Sequence, residues 1–305
     1  MRVQLKSILC TTDFSDFSSY ALPYAIRLTR EYNSKLYVCH VVDITPVAGY
    51  DEAMVNWVDQ QKAVTEYAQD QLNQLVGDQP MDVVQLVLLG HPVDEITRLA
   101  REKDIDLVVA ATHGRSGLKR VVLGSVTERL MQTLACPLMS IRSPGQGLEL
   151  PSDQEIRMER ILVGCDFSAD SLLAFQYALS LAQEFQSELH LVHVIEPPIY
   201  KHLFTEHAKR SEDLREGIRE PLNTMLTKMI PEEAAHWCRH QTVLLAGQPH
   251  EELIQYAAVN EMDLIVLGVR GRGLVETLLV GSTTDRVIRQ AQCPVLSVRP
   301  VARAE

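Results

Sequence analysis

An apolar run, Leu264–Leu267, ends on Gly268, and beyond it come Arg270, Gly271, Arg272, Gly281 and Ser282. The spacing is Gly268-x2-Gly271-x9-Gly281-Ser282. A buried strand that feeds a glycine-rich loop and then a helix start builds an anion site from backbone. Glycine lets N–H groups approach a phosphate closely, and a helix N-terminus adds unpartnered donors and a partial positive charge. Arg270 and Arg272 add full charges beside the loop. Ser282, as a capping residue, and Thr283 are expected to open the helix. Any one of these glycines reads equally well as a turn former. The whole set, in this order, reads as a loop that holds phosphate.

The same arrangement occurs earlier in the chain. Asp106–Thr127 aligns on this stretch without a gap, Gly114 against Gly271 and Gly124 against Gly281. Ala111 stands where the later copy has Gly268, and Ser125 where it has Ser282. Both copies run into a helix and then a Cys-Pro pair, Cys136-Pro137 and Cys293-Pro294. The starts repeat too, Asp13-Phe14-Ser15 against Asp166-Phe167-Ser168. A carboxylate there is suited to accept from ribose hydroxyls or an adenine amino group, and equally to cap the helix that follows. His40-Val41 and His193-Val194 repeat at the ends of a second strand, where an apolar residue suits a base pocket and the histidines suit a core role. Two long copies indicate a tandem duplication.

The elements that must position these residues follow from periodicity. In the first copy strands are expected at Leu5–Thr11, Lys35–Val42, Asp82–Leu89, Asp106–Thr112 and Pro137–Arg142. Between them come helices from the Asp13–Ser19 region to Tyr32, from Asp51 to Val76, from Pro92 to Lys103 and over Ser125–Leu134. The second copy reads as strand Arg160–Gly164, helix Ser168–Phe185, strand Glu188–Ile195 and a helical stretch Leu203–Met229. A strand within Trp237–Ala246, helix Pro249–Asn260, a strand at Leu264, helix Ser282–Gln290 and strand Val295–Arg299 complete it. Alternating strands and helices mean a parallel, doubly wound α/β sheet, whose ligands bind beyond the carboxyl ends of the strands. The domains are therefore expected at 1–143 and 160–305, with the polar, Pro- and Gly-bearing segment 144–159 as linker.

Composition narrows the function. The chain has 305 residues, 46% of them hydrophobic, enough for two cores. A net charge of −11 argues against sequence-independent nucleic-acid binding, which needs a basic footprint. No apolar run is long enough for a membrane span, and the first residues lack a signal-peptide core. Cys10, Cys39, Cys136, Cys165, Cys238 and Cys293 are scattered, without a CxxC, as expected of buried free thiols in a reducing cytoplasm. There is no G-x-G-x-x-G after a first strand, no Walker A, no HExxH and no G-x-S-x-G elbow. Nothing in the text supplies a general base or a metal-binding carboxylate pair.

With these residues in place, the chain resembles the universal stress protein (UspA-like) family in its tandem two-domain form, over about 280 residues. The resemblance implies an adenine nucleotide alpha hydrolase-like fold, a five-stranded parallel sheet in the order 3-2-1-4-5. It implies ATP or AMP in the glycine loop, possible Mg²⁺ or Mn²⁺ with it, and members without nucleotide as well. Carried over by position, Gly268, Gly271, Gly281 and Ser282, with Arg272 and Thr283 beside them, would hold ribose and phosphates, and Asp166 and Val194 the adenosine. In the first half Asp13, Val41, Gly114, Gly124 and Ser125 match, with Ala111 the departure. One methyl there would either crowd the ribose or force a different backbone angle, at negligible cost if its φ is negative, so the second half ranks first as nucleotide site and the first stays open. The family also implies pairing through the fifth strands, Pro137–Arg142 and Pro294–Arg299, within one chain as a pseudo-dimer or between two copies as a homodimer. The expected activity is stress response by nucleotide binding and signalling, without catalytic residues. The alternatives are a scaffold without nucleotide and a slow ATPase or phosphotransferase.

Overall fold

The computed structural model describes residues 2–43, 54–79, 81–114, 123–143, 151–196, 208–271 and 280–300. Two compact units result, one of residues 4–157 with Pro300 and one of residues 158–299 with residues 2–3. In the first, strands β1 (Ser7–Thr11), β2 (Lys35–Val42), β3 (Val83–Leu89), β4 (Leu107–Ala111) and β5 (Leu138–Ile141) form a parallel sheet in the order β3-β2-β1-β4-β5. In the second, β6 (Arg160–Gly164), β7 (Glu188–Ile195), β8 (His240–Ala246), β9 (Leu264–Gly268) and β10 (Val295–Val298) take the equivalent order β8-β7-β6-β9-β10. The central strands β1, β4, β6 and β9 are almost wholly buried, which is why their sequences are continuous apolar runs.

In the first unit the helices are α1 (Asp16–Ser19), α2 (Ala21–Tyr32), α3 (Met54–Val76), α4 (Pro92–Glu102) and α5 (Ser125–Thr133). The second has α6 (Ala169–Phe185), α7 (Ala208–Met229), α8 (Pro249–Val259) and α9 (Ser282–Gln290). Helix α2 packs on β1, β2 and β4, and α3 on β2 and β3. Helix α6 packs on β6, β7, β9 and β10, and α7 on β8. Pro92 and Pro249 open their helices, as the spacing predicts. Where one helix is expected after Asp13, the chain makes α1 and α2 separately. Pro23 has no N–H to give the Ser19 carbonyl, and the matching residue of the continuous α6 is Gln176. The expected starts of the long helices, 51–53 and 203–207, lie outside the described residues, as do linker residues 144–150. Residues 153–155 of the linker form a 3₁₀ turn that opens on a Ser152–Glu155 capping box.

The edge opposite the strand carboxyl ends is pinned the same way twice. Asp106 Oδ2 accepts from the backbone N–H groups of Lys6 (2.7 Å) and Ser7 (3.0 Å). Asp263 Oδ2 accepts from those of Glu159 (2.8 Å) and Arg160 (2.9 Å). Each carboxylate locks the start of the fourth strand to the start of the first.

Candidate functional site

Strand order reverses between β1 and β4, and between β6 and β9, so each unit has a crevice at those carboxyl ends. In the first unit the crevice is a cavity of about 280 Å³. Its lining includes Asp13, Val41, Ala111, Gly114, Gly124 and Ser125, every residue that position assigned to a first-half site. His113, Thr12 and Cys39 line it as well. Burial pushes the Cys39 thiol up to about 12, so it lines the wall as a neutral thiol.

The first wall is the loop after β1. Asp13 Oδ1 accepts from the Ser15 N–H (3.0 Å) and the Ser15 hydroxyl (2.5 Å), an Asx turn. The helix cap belongs to Ser15, whose hydroxyl accepts from the Ser18 N–H at 3.2 Å. The second unit copies this. Asp166 Oδ1 accepts from the Ser168 N–H (3.0 Å), and Ser168 caps α6 through the Ser171 N–H (3.2 Å). Capping is thus done two residues downstream, and the aspartate does a different job. A Cβ on Gly114 would meet Asp13 Oδ2 at 2.3 Å, and one on Gly271 would meet Asp166 Oδ2 at 2.8 Å. The carboxylate lies against the loop glycine, which is the reason for glycine there.

The second wall is the helix after the loop. The expected capping serines are instead the first helical residues, Ser125 of α5 and Ser282 of α9. The N-caps are Gly124 (φ −60°, ψ 138°) and Gly281 (φ −62°, ψ 141°), whose carbonyls accept the first helical bonds from Glu128 and Asp285, both at 3.0 Å. Each of these glycines also closes the loop behind it. Gly124 N–H donates to Thr112 O and Gly281 N–H to Val269 O, both at 2.7 Å. Thr127 and Thr284 donate their hydroxyls to Ala111 O (2.6 Å) and Gly268 O (2.7 Å). The N–H groups ahead of the first helical bond, those of Ser125 to Thr127 and Ser282 to Thr284, are thereby held at the strand ends. Ser125 and Ser282 are exposed, Thr283 is half-buried and Val194 is buried. Arg272 lies outside the described residues, with the loop cores 115–122 and 272–279.

The two units differ around position 268. A Cβ on Gly268 would meet the Asp170 carbonyl carbon at 2.6 Å and the Ser171 nitrogen at 2.8 Å. The backbone of α6 occupies that space, so packing accounts for this glycine. Asp170 draws the helix in. Its carboxylate accepts from Arg270 Nε (3.0 Å), Nη2 (3.2 Å) and backbone N–H (3.1 Å). That hydrogen bonding pushes the guanidinium pKa up, and Asp170 itself is buried. Arg270, expected to add charge to the loop, is neutralised by this partner. In the first unit the matching residues are Phe17 and His113, whose rings lie 6.4 Å apart, with Ala111 in place of Gly268. Ala111 forms part of the cavity wall. Asp170 was not legible in the sequence, since it sits 100 residues from its partner.

Among the described residues no group of three or more His, Cys, Asp or Glu side chains is placed to hold a metal ion. No helix among the described residues is long and apolar enough to cross a membrane.

Comparison with known proteins places the same two segments in one family. Residues 4–142 and 158–299 each match the model described as the universal stress protein family. A universal stress protein of Methanocaldococcus jannaschii is 32% identical over 142 residues, covering 46% of this chain and 83% of that protein. One of Mycobacterium tuberculosis is 27% identical over 285 residues, covering 88% of each chain. Among solved structures, a universal stress protein from Archaeoglobus fulgidus has a TM-score of 0.65 at 22% identity, over 98% of this chain and all of that one, a likeness of fold.

Proposed function

This chain belongs to the universal stress protein family, two of whose domains it carries in tandem, and from that premise we propose that each unit binds an adenine nucleotide. The observation that carries the proposal is the first-unit cavity lined by Asp13, Val41, Ala111, Gly114, Gly124 and Ser125. In it the base and ribose lie toward Asp13 and Val41, and the phosphates over the first turn of α5. The complete Gly268, Gly271, Gly281, Ser282 motif, and the same Asp-on-glycine contact at Asp166 and Gly271, support an equivalent site in the second unit. The text ranks that half first because of Ala111. The α6 backbone beside Gly268 supplies a packing reason for that difference, so both sites are proposed.

The chain acts by binding and signalling in the cytoplasm, through backbone donors that hold phosphate. Mg²⁺ or Mn²⁺, where present, would arrive with the phosphates. Association through the fifth strands belongs to the same proposal, and sedimentation velocity measures whether two chains associate. The decisive test is calorimetric titration of the whole chain with ATP and with AMP, Mg²⁺ present. Two nucleotides per chain are expected, one lost in Gly114→Asp and the other in Gly271→Asp. No binding would favour the scaffold reading and leave the glycine loops as turns.

A further inference from the structure

Both units carry an unusual piece of backbone beside the aspartate. Phe14 has φ 62° and Phe167 has φ 61°, a left-handed conformation uncommon for an aromatic residue. Repetition of such an outlier at one place in two units is the mark of a constraint the fold maintains. The element that maintains it is the same in both. His40 Nδ1 lies 2.9 Å from Thr12 O, and His193 Nδ1 lies 2.7 Å from Cys165 O. Each carbonyl belongs to the residue just before the aspartate, so it fixes the peptide plane from which Asp13 or Asp166 projects. The phenylalanine ring then covers the imidazole. Ring centroids are 4.2 Å apart for Phe14 and His40, and 4.9 Å for Phe167 and His193. The neighbouring N–H of Phe14 donates to Thr12 Oγ1 at 3.0 Å, and that of Phe167 to Cys165 Sγ at 3.4 Å, which completes the turn.

We infer that His40 and His193 are positioning residues for the nucleotide sites: each holds, through a backbone carbonyl and a capping phenylalanine, the aspartate that meets the adenosine. The inference rests on the nucleotide reading above and goes beyond it in assigning these two side chains a role. It also fixes their chemistry. A carbonyl oxygen only accepts, so Nδ1 must carry the proton, and the neutral ring is the Nδ1–H tautomer. That bond survives protonation of the ring, because Nδ1 donates in both states.

Two measurements test this on the whole chain. Asparagine places its amide nitrogen where Nδ1 stands, one bond from Cγ, whereas glutamine places it one bond farther. The double variant His40→Asn/His193→Asn is expected to bind ATP within about threefold of the parent. His40→Gln/His193→Gln is expected to lose about tenfold at each site, the scale of one lost hydrogen bond. Thermal midpoints are read for both, and equal midpoints with unequal affinities support positioning over a merely structural role. Asparagine and glutamine variants that bind alike, whether well or badly, overturn the inference. Independently, nitrogen-15 spectra of the parent above pH 8 are expected to show pyrrole-type Nδ1 for both rings, and pyrrole-type Nε2 would overturn it without any variant. A parent that binds no nucleotide defeats the nucleotide reading, and the inference with it.

Discussion

At the scale of single residues, three glycines in one motif have three different reasons. Gly271 makes room for a carboxylate oxygen, Gly281 closes a loop and caps a helix, and Gly268 admits the backbone of α6. These reasons give different mutational signatures. Gly268→Ala sets a methyl against backbone atoms at 2.6 and 2.8 Å, which cannot swing aside, and is expected to cost about 1–3 kcal/mol. Ala111→Gly, its mirror in the first unit, loses one buried methyl and adds chain entropy to the unfolded state, and is expected to cost about 1 kcal/mol without any clash. Urea unfolding of the two variants checks the contrast. Gly114→Ala meets only the Asp13 carboxylate tip, at 2.3 Å. The side chain can rotate away, so stability is expected to change by less than about 1 kcal/mol while ATP affinity falls about tenfold, as titration calorimetry would show.

At the scale of elements, two couplings in the second unit have no counterpart in the first. One is the clasp between the start of α6 and the loop after β9. Asp170→Ala leaves Arg270 without its partner. The Arg270 side chain is 26% exposed and can rehydrate, so the expected loss is about 1–2 kcal/mol, below that of a fully buried pair. Chemical denaturation measures it. The other is a polar cluster between β7 and α8. His190 Nε2 donates to Glu188 Oε1 at 3.1 Å, and the Tyr256 hydroxyl lies 2.9 Å from Nδ1. Burial pushes the His190 pKa below its ordinary value, against the pull of Glu188, and the Arg160 charge adds to the lowering. The unfolded chain takes up this proton near pH 6.5, before the folded one does, so stability falls as pH drops through that window. Relative to His190→Gln, which cannot titrate, the parent is expected to lose thermal midpoint between about pH 7 and pH 5. Differential scanning calorimetry at a series of pH values checks the sign.

At the scale of the whole molecule, the duplication gives two proposed sites on the same plan, with different contacts around Ala111 and Gly268. Each crevice is assembled from strands and helices of its own unit. Independent sites are therefore expected. Gly114→Asp and Gly271→Asp should each abolish one binding event, leave the dissociation constant of the other within about twofold, and together abolish both. A shift of the surviving constant beyond that would mean the sites are coupled. The net charge of −11 adds that any binding to nucleic acid should be weak at physiological salt, which a filter-binding titration against duplex DNA checks.

The sequence by itself determined the strands, the helices, the duplication and the family. These rest on local periodicity and on spacings along one stretch of chain, which are written directly in the text. It also named Asp13, Val41, Ala111, Gly114, Gly124 and Ser125, which the fold gathers around one cavity. Only the tertiary structure decided what each residue does there. Whether Ser282 or Gly281 caps α9 depends on which carbonyl faces the Asp285 N–H, a choice between two adjacent good capping residues. Whether Arg270 faces a ligand or Asp170 depends on how closely α6 approaches the end of β9, which brings together two residues 100 positions apart. The imidazole bonds from His40 to Thr12 O and from His193 to Cys165 O span 28 residues and exist because parallel pairing sets β2 beside β1 and β7 beside β6. Spacing encodes which groups travel together on one element. Contacts between elements are set by sheet order and helix packing, and it is those contacts that give the glycines, aspartates and histidines of each unit their neighbours.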